Sequence, residues 1–235
     1  MNILITGCSS GIGYQTVLAF ARMGAHHITA ISRSVEGLNQ LKHDFQSLES
    51  NSTLDIISFD LSQNNYDYLI SKLDYSIDNP LDILVNNAGY LVNSSFMETD
   101  IEDWKKIFDV NILASVKLIK ALYPLFNRTL GSHIVNIGSM GGVQGTAKFE
   151  GLSAYSASKG AVNILTESLS VEFAKEHIHV NAINPGAVQT KMLEEAFPGF
   201  EAGISAQQMG AYIASFAINN KDVMNGRLVQ ASLSS

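Results

Sequence analysis

Tyr155 and Lys159 stand four positions apart in the run SAYSASKGAV, residues 153 to 162. On a helix that spacing puts a phenol and an ammonium on one face, one turn apart. A free tyrosine titrates near ~10, too high for ready proton exchange at neutral pH, and a neighbouring cation favours its phenolate. The pair therefore has the makings of a general acid/base. Between them Ser156, Ala157 and Ser158 are small, so ligands are expected to come close to the helix. The bland alternative is an amphipathic core tyrosine beside a solvated surface lysine.

Such a pair needs a frame. Short apolar, β-branched runs recur at 2–6, 27–32, 54–59, 82–86, 133–138, 179–184 and 227–231, and each is predicted to be a buried strand. Helical spacing of apolar residues fills 14–24, 36–48, 65–73, 103–126 and 161–176. Strand and helix alternating in this way imply parallel strands joined by right-handed crossovers. The expected fold is a doubly wound α/β domain with a seven-stranded parallel sheet and helices on both faces, three layers in all. The whole chain, 1–235, is read as one domain.

Sheets of this kind bind ligands at the carboxyl ends of their strands. TGCSSGIG, residues 6 to 13, lies between the first strand and the first helix, where glycines let the backbone turn tightly and approach a pyrophosphate. Its spacing is Gly-x-x-x-Gly-x-Gly, and it points to dinucleotide binding. Arg33 follows the second strand, Asp60 the third, Asn87 to Gly89 the fourth, Ser139 the fifth and Pro185-Gly186 the sixth.

With NNAG at 86–89, an Asn at 111 within DVNI, Ser139, YSASK at 155–159 and NPG at 184–186 in this order, the chain resembles the short-chain dehydrogenase/reductase family in its short, single-domain (Rossmann) form. The resemblance implies an NAD(P)(H)-dependent oxidoreductase that interconverts a ketone or aldehyde and an alcohol. It implies Tyr155 as general acid/base, Lys159 as the group that lowers its pKa and holds the nicotinamide ribose, Ser139 as a hydrogen-bond partner of the substrate oxygen, and Asn111 as the holder of a relay water. Gly7, Ser9, Ser10, Gly11, Ile12 and Gly13 would cradle the pyrophosphate. Asp60 and Leu61 would meet the adenine, although Asp60 could equally be a helix N-cap. Asn87, Ala88 and Gly89 would flank the ribose, and Pro185, Gly186, Val188 and Thr190 the nicotinamide.

Cofactor choice turns on ISRS at 31–34. Ser32 stands where an acidic residue would receive the ribose hydroxyls of the non-phosphorylated cofactor, and the guanidinium of Arg33 matches a 2'-phosphate in shape and charge. NADP(H) is therefore favoured, with NAD(H) as the alternative.

Composition narrows the rest. The 235 residues are 46% hydrophobic and 16% charged, the balance of a folded domain. The net charge of -7 with scattered Lys and Arg offers no basic face for nucleic acid, and no apolar stretch approaches the ~20 residues of a membrane span. A single cysteine, Cys8, and a start straight into a strand suggest a cytoplasmic protein, with Cys8 a packing residue. His177 and His179 lack carboxylate or Cys partners at ligand spacing, so no metal site is expected. A serine hydrolase is disfavoured because Ile137 stands where a nucleophile elbow needs glycine. A non-catalytic dinucleotide-binding regulator is the remaining rival, and it leaves the acid/base set unexplained.

Two segments are expected to set substrate choice. Residues 190–204, with Met192, Leu193, Phe197 and Phe200, are read as a mobile lid. The loop between Ser139 and Tyr155 is about three residues longer than the resemblance leads one to expect, and its Lys148 could meet an anionic group. The carboxyl end, GRLVQASLSS, faintly resembles family members of surface-polysaccharide pathways, which hints at a sugar or polyol. The long helices before and after the fifth strand are expected to pair in a homodimer or homotetramer.

Overall fold

A computed structural model describes residues 1–233. Six strands, β1 (Asn2–Thr6), β2 (His27–Ser32), β3 (Thr53–Ser58), β4 (Ile83–Asn86), β5 (Ser132–Ile137) and β6 (Ile178–Pro185), join β9 (Leu228–Ala231) in one sheet. The order is β3-β2-β1-β4-β5-β6-β9 and every pairing is parallel. The doubly wound, seven-stranded α/β fold is thus as expected.

The central strands read as apolar runs because both faces are covered, whereas the edge strand β3 leaves Thr53, Asp55 and Ser58 exposed. Ile3 and Ile5 of β1 enter one core with Ile83 and Val85 of β4, whereas Leu4 enters the opposite core with Leu84, as the two-residue period of a strand requires. The first core is covered by α1 (Gly11–Met23), α2 (Val35–Gln46) and α8 (Ala206–Asn219). The second is covered by α3 (Tyr66–Ile70) and α5 (Ala114–Leu122), with α6 (Ser153–Glu172) on the same side.

The structure departs from expectation in three elements. Helix α8 has no counterpart among the helices expected from the sequence. Its small and apolar residues pack along α1 so tightly that a Cβ on Gly210 would lie 2.7 Å from the Thr16 nitrogen. The expected helix 103–126 is four pieces: α4 (Ile101–Phe108), a π-helical turn at Asp109–Leu113, α5, and a 3-10 turn at Tyr123–Leu125 that contains Pro124. A π turn holds an extra residue, which rotates α5 about the helix axis relative to α4. Finally, α6 starts at Ser153, ahead of the apolar periodicity at 161–176, and carries Tyr155 and Lys159 on one helix as their spacing predicts.

The segment expected to be a lid contains α7 (Lys191–Ala196) and is bracketed by a parallel pair, β7 (Val188–Gln189) with β8 (Ile204–Ser205). No helix among the described residues is long and apolar enough to cross a membrane. The strand order reverses between β1 and β4, and the crevice above their carboxyl ends is where a ligand is expected in such a sheet.

Candidate functional site

A cavity of about 410 Å³ occupies that crevice. Every catalytic or cofactor-binding residue expected from the sequence lines it except Gly13 and Asn111, which lie behind its wall. The β1–α1 loop forms the floor. Gly7 has a left-handed φ of +72°, and a Cβ there would sit 2.9 Å from the Ala88 Cα. Gly13 is buried, and its Cβ would fall 2.4 Å from both Asn87 Nδ2 and the Gly7 oxygen. Glycine is required at both places because two loops meet face to face.

Thr6 and Asn87 stitch those loops together. The Thr6 hydroxyl accepts from the backbone nitrogens of Asn87 and Ala88, each at 3.0 Å, and Asn87 Nδ2 donates to the Thr6 oxygen at 2.9 Å. Ser10, the N-cap of α1, makes no side-chain cap, so the amino terminus of α1 opens toward the cavity with its N–H groups uncapped by a side chain. That end suits an anion.

At the far side of the same floor, Ser32 closes β2 and Arg33 is exposed at the cavity rim, its backbone oxygen accepting from Ser58 Oγ at 3.2 Å. Asp60 is not a helix N-cap. Its Oδ1 accepts from Ser62 N at 3.0 Å and Ser62 Oγ at 2.7 Å, and the next helix is capped by Asn65 instead. Burial pushes the Asp60 carboxyl up, but these hydrogen bonds and the Arg33 charge outweigh it and hold it below the ordinary value. Leu61 supplies an apolar wall beside it.

The chemical end is built on α6. Lys159 is only 4% exposed, and its Nζ donates to the Ile137 oxygen at 2.8 Å. Burial pushes its ammonium down to about 8. Nζ stands 5.7 Å from the centre of the Tyr155 ring. The Tyr155 phenol is raised above its ordinary value by burial, and the Ser139 hydroxyl beside it pulls the other way. Burial thus acts on both groups, raising the phenol and lowering the ammonium.

Ser139 is held by the first residue of the NPG motif, a pairing that the motif itself does not announce. Its nitrogen donates to Asn184 Oδ1 at 3.0 Å, and that oxygen is close enough that a Cβ on Gly138 would lie 2.1 Å away. Ser139 Oγ accepts from Gly141 N at 3.1 Å, which leaves its own proton to donate elsewhere. The 3-10 turn at Met140–Gly142 rests directly on α6, where a Cβ on Gly142 would fall 2.4 Å from the Lys159 carbonyl carbon.

Asn111 sits in the π turn and is 2% exposed. Its side chain is fully engaged: Oδ1 accepts from Tyr90 N at 2.7 Å, and Nδ2 donates to the Tyr90 oxygen at 3.0 Å and to Ser158 Oγ at 2.9 Å. Ser158 Oγ in turn donates to the backbone carbonyl oxygen of Tyr155. Ser158 is therefore a tie between α6 and the π turn rather than an opening for a ligand. Gly89 faces this junction, where a Cβ would lie 3.6 Å from Asn111 Oδ1 and 3.7 Å from Lys159 Nζ.

The remaining wall comes from the end of β6 and the segment after it. Pro185, Gly186 and Val188 line the cavity, and a Cβ on Gly186 would press 2.4 Å from Ser232 Oγ. Thr190 lines it too while capping α7, its hydroxyl accepting from Leu193 N at 3.3 Å. Asn93 Nδ2 donates to the Ala196 oxygen at 2.6 Å, which fastens α7 to the loop after β4.

A dinucleotide fits these surfaces. The glycine floor lets a pyrophosphate approach the uncapped end of α1, and an ammonium has three donors, of which Lys159 spends one on Ile137. The other two suit the hydroxyls of a ribose.

Known proteins agree with this architecture. The family model described as short chain dehydrogenase matches residues 1–199. An uncharacterized oxidoreductase of Staphylococcus saprophyticus is 32% identical over 192 residues, which is 80% of this chain and 79% of its own. A ketoacyl reductase of Nostoc is 31% identical, covering 94% of this chain and 76% of its own. In fold, the chain is similar to the L-sorbose reductase of Gluconobacter frateurii solved with NADPH and L-sorbose, with a TM-score of 0.82 at 24% identity over 100% of this chain and 97% of that one. The chain belongs to the short-chain dehydrogenase family, and it is an oxidoreductase of the CH–OH/C=O pair that uses a nicotinamide cofactor.

Proposed function

We propose that this protein is an NADPH-dependent reductase of a ketone or aldehyde, working with Tyr155 as the general acid. The observation that carries the reading is the convergence of Ser139, Tyr155 and Lys159 at one end of a cavity whose other end presents Arg33. When bound, the nicotinamide supplies the hydride. Tyr155 donates its phenolic proton to the substrate oxygen, which becomes the alcohol hydroxyl. The phenol is in its protonated, donating form at neutral pH, and the Ser139 hydroxyl and the Lys159 ammonium favour the phenolate it becomes. Ser139 Oγ hydrogen-bonds the same oxygen and fixes its direction. Lys159 binds the ribose hydroxyls and offers positive charge to the phenolate left behind.

Arg33 is the ground for preferring NADP(H) to NAD(H). It is exposed at the rim, has no carboxylate partner within ion-pair distance among the described residues, and lies where a 2'-phosphate would need a cation. Asn111 supports the set indirectly by tying the loop after β4 to α6. The chain works as one domain, with residues 190–204 as its lid. Exposed Ile164 and Val171 on α6, 63% and 77% exposed, support the reading that copies pair through that helix as a dimer or tetramer.

The test is NADPH consumption by the purified protein against a panel of ketones and aldehydes. The expected result is turnover that NADH supports poorly and that Tyr155→Phe loses while NADPH binding remains. Turnover retained in Tyr155→Phe would refute the assignment.

A further inference from the structure

The substrate end of the cavity is walled by hydrocarbon. Beyond Ser139 and Tyr155 it is lined by Phe149 and Leu152 from the enlarged loop and by Met192, Leu193, Phe197 and Phe200 from the lid. Phe149 and Phe197 meet edge to face with ring centres 6.3 Å apart. Three of these side chains stay substantially in contact with water: Phe149 is 61% exposed, Phe200 48% and Met192 39%. Isolated exposed apolar residues are ordinary, but several converging at the mouth of one cavity mark a surface made to be covered.

At the base of the lid Thr190 and Lys191 line the cavity, the first capping α7 and the second 3.6 Å from Glu195 Oε1, and the other polar groups nearby bond to the protein or face elsewhere. Lys148 Nζ bonds back onto its own loop, to the Val143 oxygen at 2.6 Å and to Thr146 Oγ1 at 2.8 Å. Thr146 Oγ1 donates to the Met140 oxygen at 2.6 Å, and Asn93 Nδ2 is held by Ala196. None of Asn93, Thr146, Lys148, Glu150 and Glu194 lines the cavity. A polyol placed against the Phe149, Leu152, Phe197 and Phe200 wall would strip water from hydroxyls that find no partner there, which is costly for each one.

Resting on the reductase reading, we propose that the substrate is a ketone bearing an aromatic or alicyclic group, and that Phe149 and Phe197 together select it by closing over that group. The sugar or polyol hinted at by the carboxyl-terminal sequence does not suit this chamber. Lys148 is a strut of the loop rather than a receptor for an anion. The enlarged loop acquires a role: it carries Phe149 out to meet the lid.

The test measures binding apart from turnover. Tyr155→Phe protein saturated with NADPH is titrated with 2-acetylnaphthalene and with a ketohexose, alone and combined with Phe149→Asn, Phe149→Leu or Phe197→Asn. Phe149 is mostly exposed, so its replacement is compatible with folding. The expected result is binding of the aryl ketone at least about tenfold tighter than the ketohexose, weakened roughly tenfold by either Asn variant and restored in large part by Phe149→Leu. Equal or tighter binding of the ketohexose would overturn the proposal, as would aryl-ketone binding indifferent to both Asn variants. Because the titration reads binding and not product, in a variant first checked for absence of NADPH oxidation, the outcome is separate from whether the native protein reduces ketones. A native protein without turnover would sink the reductase reading while leaving the selective binding to be judged on its own.

Discussion

Lys159 Nζ stands 5.7 Å from the centre of the Tyr155 ring and gives its one protein hydrogen bond to the Ile137 oxygen at the end of β5. The two side chains are thus held in one buried corner by different elements, α6 and the sheet. Their spacing comes from the helix, and their electrostatics come from burial.

That burial has a measurable cost. Lys159 is pushed from 10.5 down to about 8. Between those values the unfolded chain holds a proton that the folded one has released, so the group's penalty is fully present below about pH 8 and relieved as pH rises. Lys159→Met is expected to stabilise the protein at pH 7 by about 1–3 kcal/mol, less the lost hydrogen bond, with the gain shrinking toward pH 10. Denaturant midpoints at the two pH values check it. A variant less stable than the native protein at pH 7 would contradict it.

Arg33 should set the choice between cofactors. Arg33→Ala is expected to lower the kcat/KM preference for NADPH over NADH by about tenfold or more, because a charge-assisted contact is lost with one cofactor and not the other. Unchanged selectivity would show that the guanidinium is a bystander.

Asn93 should hold the lid. The single hydrogen bond from its Nδ2 to the Ala196 oxygen joins two segments 103 residues apart in sequence. Asn93→Ala is expected to raise the KM for a ketone roughly 2–10-fold and to speed amide hydrogen exchange across 191–197, with NADPH affinity little changed. Exchange rates equal to the native ones would argue against a latch.

His133 should make the fold acid-sensitive. Completely buried in β5, it bonds the Ala217 oxygen through Nδ1 and faces Asn181 Nδ2 through Nε2, each at 2.9 Å. The neutral ring accepts at Nε2, and a second proton there would point at a donor. Burial pushes the imidazole down from 6.5 to about 4. The unfolded chain therefore binds the extra proton first, and stability falls as pH drops from about 6.5 to about 4, by up to about 3 kcal/mol. His133→Gln is expected to flatten that part of the stability curve. An unchanged slope would place the titration elsewhere.

Much of the architecture is legible in the sequence because its physics is local. Strands covered on both faces appear as unbroken apolar runs, and Tyr155 and Lys159 announce themselves by a four-residue spacing. Helix α8 escapes because Ala, Gly and Ser among its apolar residues give no clear polar face, and it is close packing with α1 that explains them. The π turn has no residue signature of its own. The props of the site are equally hidden: Thr6 with Asn87 and Ser139 with Asn184 are pairs 81 and 45 residues apart, joined only once the sheet has formed. The burial that raises the Tyr155 phenol is likewise a property of the fold and not of the spacing.

The most direct test of the account is a single-turnover measurement, in which protein saturated with NADPH is mixed with a ketone that it reduces and the loss of nicotinamide absorbance is monitored. Tyr155→Phe is expected to slow that step by about 10²-fold or more while its NADPH dissociation constant stays within about twofold of the native value. A Tyr155→Phe protein that oxidises NADPH at the native rate would contradict the account, because the proton would then come from some other group.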